Sequence, residues 1–252
     1  MSSQHFIVQI SDTHLLSARN EVFNGVMPYV NLKNVLEHVE NLNEKPKLII
    51  LSGDNSQDGS VESYKLLKSL LDTIKTKYYI FPGNHDDINN MNKVFGFSWD
   101  NESADSSVIF QNWHIYILNS SRHPKEAGEL SKKQLDKFNS ELLKYKDKPT
   151  IVFLHHQPVN VNSAWIDRLS LNNPNDFNNL VGKNTQIKAV LFGHIHHVFE
   201  KIVGKIFYAS APSTVYQVFS NREDFTIENR VPGYRLIELE ENKFNSRVIW
   251  VK

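Results

Sequence analysis

The chain has 252 residues, 28 acidic and 28 basic side chains, and no cysteine. That charge balance offers no electrostatic footprint for nucleic acid, and the missing thiols exclude disulfides and thiolate zinc sites. No apolar stretch approaches the ~20 residues of a membrane helix, and the opening Met1-Ser2-Ser3-Gln4 lacks a basic-then-apolar secretion signal, so a cytoplasmic protein with a small soluble partner is expected.

In chain order, the first predicted strand runs from Phe6 to Ile10 and stops at Asp12-Thr13-His14. A helical stripe follows at Val30, Leu32, Val35, Leu36 and Val39. Leu48 to Leu51 is a second strand, ending at Gly53-Asp54, and Ser60 to Ile74 repeats the helical stripe through Tyr64, Leu67, Leu70, Leu71 and Ile74. The third strand, Tyr78 to Phe81, runs into Gly83-Asn84-His85-Asp86. Ser131-Lys132-Lys133-Gln134 has capping-box spacing and predicts a helix that presents Leu135, Phe138, Leu142 and Leu143 to a core. Ile151 to Leu154 and Ala189 to Phe192 are strands ending at His155-His156 and Gly193-His194-Ile195-His196.

Between those two strands, the polar stretch Asn160 to Lys188 carries a turn and helix start at Asn172-Asn173-Pro174-Asn175, and reads as an excursion over the strand ends. After Phe192 the runs Ile206 to Ala209, Thr214 to Phe219, Tyr234 to Leu239 and Arg247 to Val251 come with turns and no evident helix. They predict a second, largely antiparallel sheet. Without repeats, low-complexity tracts or a Gly-, Ser- or Pro-rich linker, residues 1–252 are expected to form one α/β domain.

Each polar cluster has a plain reading when taken singly. Asp12 and Asp54 suit turns or helix caps, Gly83-Asn84 suits a left-handed turn, and a histidine pair suits a surface. Their chemistry is complementary, however. Asp12 and His14 leave a strand end on the same side, Asp54 can give one oxygen to each of two cations, and Asn84 can ligate through its amide oxygen without adding charge. His194 and His196 also share one side of an extended segment, and of the His155-His156 pair His155 is the better ligand candidate. Carboxylate, imidazole and amide oxygen together suit a pair of borderline divalent cations, with His85 left to meet a substrate. Repeated at five strand ends in one order, the pattern predicts a two-metal hydrolase of phosphate esters.

The series Asp12-x-His14, Gly53-Asp54, Gly83-Asn84-His85-Asp86, His155 and Gly193-His194-x-His196 resembles the calcineurin-like metallophosphoesterase superfamily through nearly the whole chain. Ile10 to Leu15, Gln57-Asp58, Gly128 to Ser131, Ser163 to Asp167, Ala211 to Thr214 and Pro232 to Arg235 are similar to the class III cyclic-nucleotide phosphodiesterases within it. The resemblance implies a four-layer α/β/β/α sandwich with two mixed β-sheets. It also implies one metal held by Asp12, His14, Asp54 and His196 and a second held by Asp54, Asn84, His155 and His194, with Asp54 bridging. By the same resemblance a hydroxide between the ions attacks phosphorus, while His85 contacts the phosphoryl group and protonates the leaving alkoxide. Asp86 either orients His85 or caps a turn.

Three positions depart from the family pattern: Asn55 replaces an aliphatic residue, Gln157 a proline and Asn119 an aspartate. None is a ligand position, and His156 and His197 are expected outside the ligand sets. The metals can be Mn²⁺, Fe²⁺/Fe³⁺, Zn²⁺ or Co²⁺, since mixed nitrogen and oxygen ligands suit all of them. The expected substrate is a small phosphodiester, 3′,5′-cyclic AMP or a related cyclic nucleotide. Another small phosphodiester or phosphomonoester is the alternative. A non-catalytic binding module on the same scaffold is disfavoured by His85 and the complete ligand set. Arg19, Phe23, Tyr29, Trp165 and Arg168 are candidates to grip a phosphate or stack on a base, although packing explains the aromatics equally well.

Overall fold

Strands that are apolar on both faces need cover on both faces. The computed structural model describes residues 5–100, 105–122 and 124–252, so the opening tetrapeptide lies outside the described residues. In chain order the elements are β1 (His5–Ile10), α1 (Pro28–Glu40), β2 (Leu48–Ser52), α2 (Val61–Leu71), β3 (Tyr78–Phe81) and α3 (Ile88–Phe95). Next come β4 (Asp105–Phe110), β5 (Trp113–Leu118), α4 (Lys132–Lys144), β6 (Thr150–Phe153), α5 (Ala164–Asp167), α6 (Pro174–Lys183) and β7 (Ile187–Phe192). The last third holds β8 (Glu200–Val203), β9 (Ile206–Ser210), β10 (Gln217–Val218), β11 (Ile227–Asn229), β12 (Gly233–Leu239) and β13 (Phe244–Trp250).

Two mixed sheets result, with orders β13-β12-β1-β2-β3 and β4-β5-β6-β7-β9-β8. Strands β1, β2 and β3 are mutually parallel, with β3 at the sheet edge, and so are the central strands β5, β6, β7 and β9 of the other sheet. Side-chain alternation then sorts the core into three slabs. Val8, Ile10, Ile49 and Leu51 face α1 and α2, whose Leu32, Val35, Leu67 and Leu71 meet them. On the other flank Tyr116, Leu118, Val152, Val190 and Phe192 face Phe138, Leu142, Phe177 and Val181 of α4 and α6. The intervening residues Ile7, Leu48, Ile50, Ile115, Ile117, Ile151, Phe153 and Leu191 pack the sheets against each other. This is the α/β/β/α sandwich expected from the resemblance.

Local chemistry starts the helices where the sequence places them. Ser60 caps α2 by accepting from the Ser63 amide, and Ser131 and Gln134 form the full capping box of α4. Pro174 opens α6, as the Asn-Pro turn predicts.

Among the described residues the expected second antiparallel sheet is not formed. β12 and β13 join β1 through antiparallel pairing, whereas β9 pairs parallel to β7 in the other sheet, leaving only the short β10–β11 pair by itself. Period-two patterning marks a strand but carries no information about its partner. Arg235 of β12 pins the arrangement across the sandwich. Fully buried, it donates from Nε to Ser210 O on β9 (2.8 Å) and from Nη1 to Glu200 on β8 (2.8 Å).

Truncating the middle slab tests the layering. Phe153→Ala is expected to cost about 3–5 kcal/mol through lost burial and a cavity shared by both sheets, measured as a lower urea midpoint with unchanged slope.

Candidate metal centre

The five motifs emerge at the carboxyl ends of β1, β2, β3, β6 and β7, where parallel strands place their loops. Backbone hydrogen bonds lace these loops together. The Asp12 amide donates to Gly53 O (3.1 Å), the His14 amide to Asp54 O (2.9 Å) and the Gly193 amide to His155 O (3.1 Å). Across the sandwich, the His194 amide donates to both carboxylate oxygens of Asp12 (3.1 and 3.2 Å).

Holding the side chains inward strains the chain. Asp12, His14, Asp54, His194 and His196 all have left-handed backbone, with φ between 44° and 67°. Such conformations cost about 1–3 kcal/mol each and cluster at functional sites. Gly83 is required for a different reason: a Cβ there would overlap the Asp54 carboxylate and backbone and press on His155 Nε2.

The donors converge closely. His155 Nε2 lies 3.3 Å from Asp54 Oδ2 and 3.2 Å from Asn84 Oδ1. His14 Nε2 lies 3.8 Å from the same Asp54 oxygen and 3.0 Å from His196 Nε2, which in turn is 3.5 Å from Asp12 Oδ1. Asp54 therefore stands between two groups of donors. His85 reaches the cluster from the β3 loop. Its amide donates to Asp54 Oδ1 (2.9 Å) and its half-buried ring meets His14 edge-on, 5.1 Å between centroids.

Hydrogen bonds behind the rings fix where the lone pairs point. His14 Nδ1 faces Gln57 Oε1 (2.7 Å), His155 Nδ1 faces Ser52 O (2.8 Å) and His196 Nδ1 faces Tyr216 O (3.2 Å). For His194 it is Nε2 that faces a carbonyl, Leu169 O at 3.1 Å. Each oxygen is an acceptor, so each of these nitrogens carries a proton; in His14, His194 and His196, which burial keeps neutral, the opposite nitrogen then holds a lone pair. The Nε2 lone pairs of His14 and His196 thus face each other at 3.0 Å beside two carboxylates. Such a donor set fits cations: His14 and His196 present facing nitrogen electron pairs beside carboxylate oxygens, with no hydrogen between the two rings.

Charge balance supports the fit. Burial pushes Asp12 up to about 7, with the Asp54 carboxylate adding to the rise. Burial also pushes His14 down to about 4, and His196 and His194 well below the ordinary imidazole range, so all three imidazoles are neutral at pH 7. His155 is the exception. Burial alone would lower it, but the charges of Asp54 and Asp12 lift it to about 9, so in the metal-free chain it holds a proton. That charge in turn keeps Asp54 ionised despite its burial.

The remaining residues are structural partners of the cluster. His156 accepts from Ser120 Oγ at Nδ1 (2.8 Å) and donates from Nε2 to Glu126 O (3.0 Å), which occupies both nitrogens. His197 Nδ1 is bonded to Ile195 O (2.9 Å). Asp86 does not hydrogen-bond His85. Its carboxylate accepts from the amides of Asn55, Ser56 and Gly83, from Asn55 Nδ2 and from Tyr64 Oη (2.8–3.0 Å), tying the β2 loop to the β3 loop.

The departures have local reasons. Asn55 also donates to Phe81 O (2.9 Å), Gln157 to Ile166 O (2.9 Å) and Asn119 to Asp100 O (2.7 Å). Among the candidates for phosphate or base, Arg19 instead stacks on Tyr29 in a cavity of about 500 Å³ between α1 and α2. Sequence reading missed Tyr216, whose ring lies 4.7 Å from that of His196, because nothing local distinguishes it from a core tyrosine.

A sandwich that gathers imidazoles and carboxylates on the loops of its parallel strands defines a metal-dependent phosphoester hydrolase. The family described as "Calcineurin-like phosphoesterase" matches residues 7–198, and the chain belongs to it. A 3′,5′-cyclic-nucleotide phosphodiesterase of Nostoc sp. is 37% identical over 92% of this chain and 87% of its own length. A probable glycerophosphodiester phosphodiesterase of Arcobacter nitrofigilis is 34% identical over 84% and 79%. A dimetal phosphatase from Danio rerio shares the fold, with TM-score 0.69 at 11% identity over 98% of this chain and 99% of its own.

Two outcomes follow from this geometry. Metal entering the apo-site must displace the His155 proton, so Mn²⁺ affinity is expected to rise between pH 6.5 and pH 8.5, with a calorimetric heat that depends on the buffer's ionisation enthalpy. Asp86→Ala strands five buried donors and is expected to cost more than about 3 kcal/mol in urea unfolding, together with a loss of Mn²⁺ affinity.

Proposed function

We propose that this chain is a dinuclear phosphodiesterase that hydrolyses 3′,5′-cyclic AMP, or a related cyclic nucleotide, to the 5′-monophosphate. The observation that carries the proposal is the donor cluster around Asp54, in a chain whose likeness to the Nostoc cyclic-nucleotide phosphodiesterase spans 92% of its length. Asp12, His14, Asp54 and His196 hold one cation in this reading, and Asp54, Asn84, His155 and His194 the other. Bound there, Mn²⁺, Fe²⁺/Fe³⁺, Zn²⁺ or Co²⁺ would neutralise phosphoryl charge and lower the pKa of water. Residues 1–252 act as one catalytic domain, in the cytoplasm, a placement that rests on the cysteine-free composition.

The chain's own groups do the rest. Gln57, Ser52, Tyr216 and Leu169 keep the ligand imidazoles in one tautomer and orientation. His85, half-buried, held through its amide by Asp54 and lying against His14, has a ring that can bond a phosphoryl oxygen and give a proton to the departing ribose oxygen.

A second reading is favoured by one observation, the comparable likeness to the Arcobacter protein named for glycerophosphodiesters. Hydrolysis of 3′,5′-cyclic AMP, 2′,3′-cyclic AMP, a glycerophosphodiester and bis-p-nitrophenyl phosphate by protein reloaded with defined metals separates the two. A kcat/KM highest for 3′,5′-cyclic AMP is expected; a preference for the glycerophosphodiester would replace the first reading by the second. His85→Ala is expected to lose most turnover while keeping its metals, and Asp54→Ala to lose both, measured by steady-state rates and metal content.

A further inference from the structure

The hairpin β10–β11 carries an exposed aromatic ring on an otherwise polar loop. From Ser220 to Thr226 every residue is exposed, and Phe225 is the one aromatic side chain among them, 46% accessible. An exposed phenylalanine gains nothing from water, yet this one is not isolated. Its ring lies 5.8 Å from Tyr216 and 5.3 Å from Trp165, at 85° and 82°, so two edge-to-face contacts fix its plane.

Those contacts lead directly to the metal centre. Tyr216 is buried against His196, 4.7 Å between centroids, and touches Phe23, which packs at 5.5 Å on His14. At the other end, Trp165 sits on α5, just before Leu169, whose carbonyl orients His194. The aromatic side chains therefore form an arc that starts at the histidines of one proposed cation and runs outward through Tyr216 and Phe225 to Trp165, whose segment reaches the histidine of the other through the Leu169 carbonyl. Two segments distant in sequence hold it closed: Arg230 Nε donates to Asn24 O (2.7 Å), and Val215, Tyr216 and Val218 share a small core with Phe23, Val26 and Trp165.

We propose that Phe225, backed by Trp165, is the stacking platform for the planar base of the substrate, which makes the β10–β11 loop the element that selects a nucleotide over a base-free phosphodiester. The inference rests on the phosphodiesterase reading given above. With the phosphate at the donor cluster and the ribose beside Tyr216, the base reaches the next ring outward, which is Phe225. Base–aromatic stacking is tolerant of base identity, so the platform distinguishes nucleotides from glycerol esters better than adenine from guanine.

The test compares two ligands that differ only by the base. Calorimetric titration of the Mn²⁺-loaded protein is expected to show tighter binding of 5′-AMP than of ribose 5-phosphate. Phe225→Ala and Phe225→Ser should each reduce that ratio about tenfold, the order expected for one stack, while Phe225→Tyr preserves it. The ribose 5-phosphate titration reports the loaded site in every variant. No preference for 5′-AMP in the parent protein, or an unchanged ratio in both truncations, overturns the platform. Failure to hydrolyse cyclic AMP alongside a ratio that still falls would instead overturn the substrate reading and leave the platform standing.

Discussion

Two imidazole lone pairs 3.0 Å apart, flanked by buried carboxylates, form an arrangement that a chain does not reach by collapse. Electrostatics drives such groups apart, or into protonation, unless something else fixes them. Here the fixing elements can be named. Carbonyl and amide oxygens behind each ring remove the alternative tautomer, five left-handed residues turn the side chains inward, and Asp86 clamps the β2 and β3 loops with a single carboxylate. The energy for this comes from outside the site. Three apolar slabs, two of them flanked by helices, hold the strand ends in register while the loops carry the strain.

The same constraint explains why the sandwich has a polar seam at one end. Gln9 points into the space between the sheets, a direction its neighbour Ile7 fills with hydrocarbon. It is fully buried and donates to Ser52 Oγ (3.0 Å) and Phe192 O (3.1 Å), so it links β1, β2 and β7 one residue below the loops. Ser52 then passes its carbonyl to His155. The contact between sheets thus changes from dispersion to hydrogen bonding as it nears the cluster, which positions donors from opposite sheets relative to each other.

Legibility in the sequence followed locality. Strands that end in a motif, the capping box of α4 and the Asn-Pro start of α6 are encoded within a few residues, and all could be read. The helix α3 and the exposed strand β8 carry weak patterns, since α3 buries only Met91 and β8 has no buried residue at all, whereas β5, buried at every position, carries a plain apolar and aromatic run that the sequence reading passes over. Sheet membership of β9, β12 and β13 was misjudged because it is settled by pairing across the whole chain, with Arg235 meeting Ser210 and Glu200. The cluster itself was legible as a set of residue types. Its tautomers were not, since they depend on carbonyls such as Tyr216 O and Leu169 O that any residue could supply.

Division of labour between the cluster and its surroundings follows from these differences. Donors for cations respond to charge and geometry at phosphorus and are blind to what the ester carries, which is why relatives named for cyclic nucleotides and for glycerophosphodiesters resemble this chain to similar degrees. Discrimination then has to come from segments around the cluster such as 16–27, 163–171 and 214–230, which touch His14, His194 and His196. These are loops and short elements, which tolerate change better than the strands they connect. In this chain Ile166 and Leu171 anchor 163–171 in the slab beneath α4 and α6, aromatic contacts join the three segments to each other, and Phe23 and Tyr216 lie against His14 and His196. The rim is also tied to the cluster by its backbone: the Leu169 and Tyr216 carbonyls orient His194 and His196, so side-chain changes leave those electron pairs in place only where the carbonyls keep their positions.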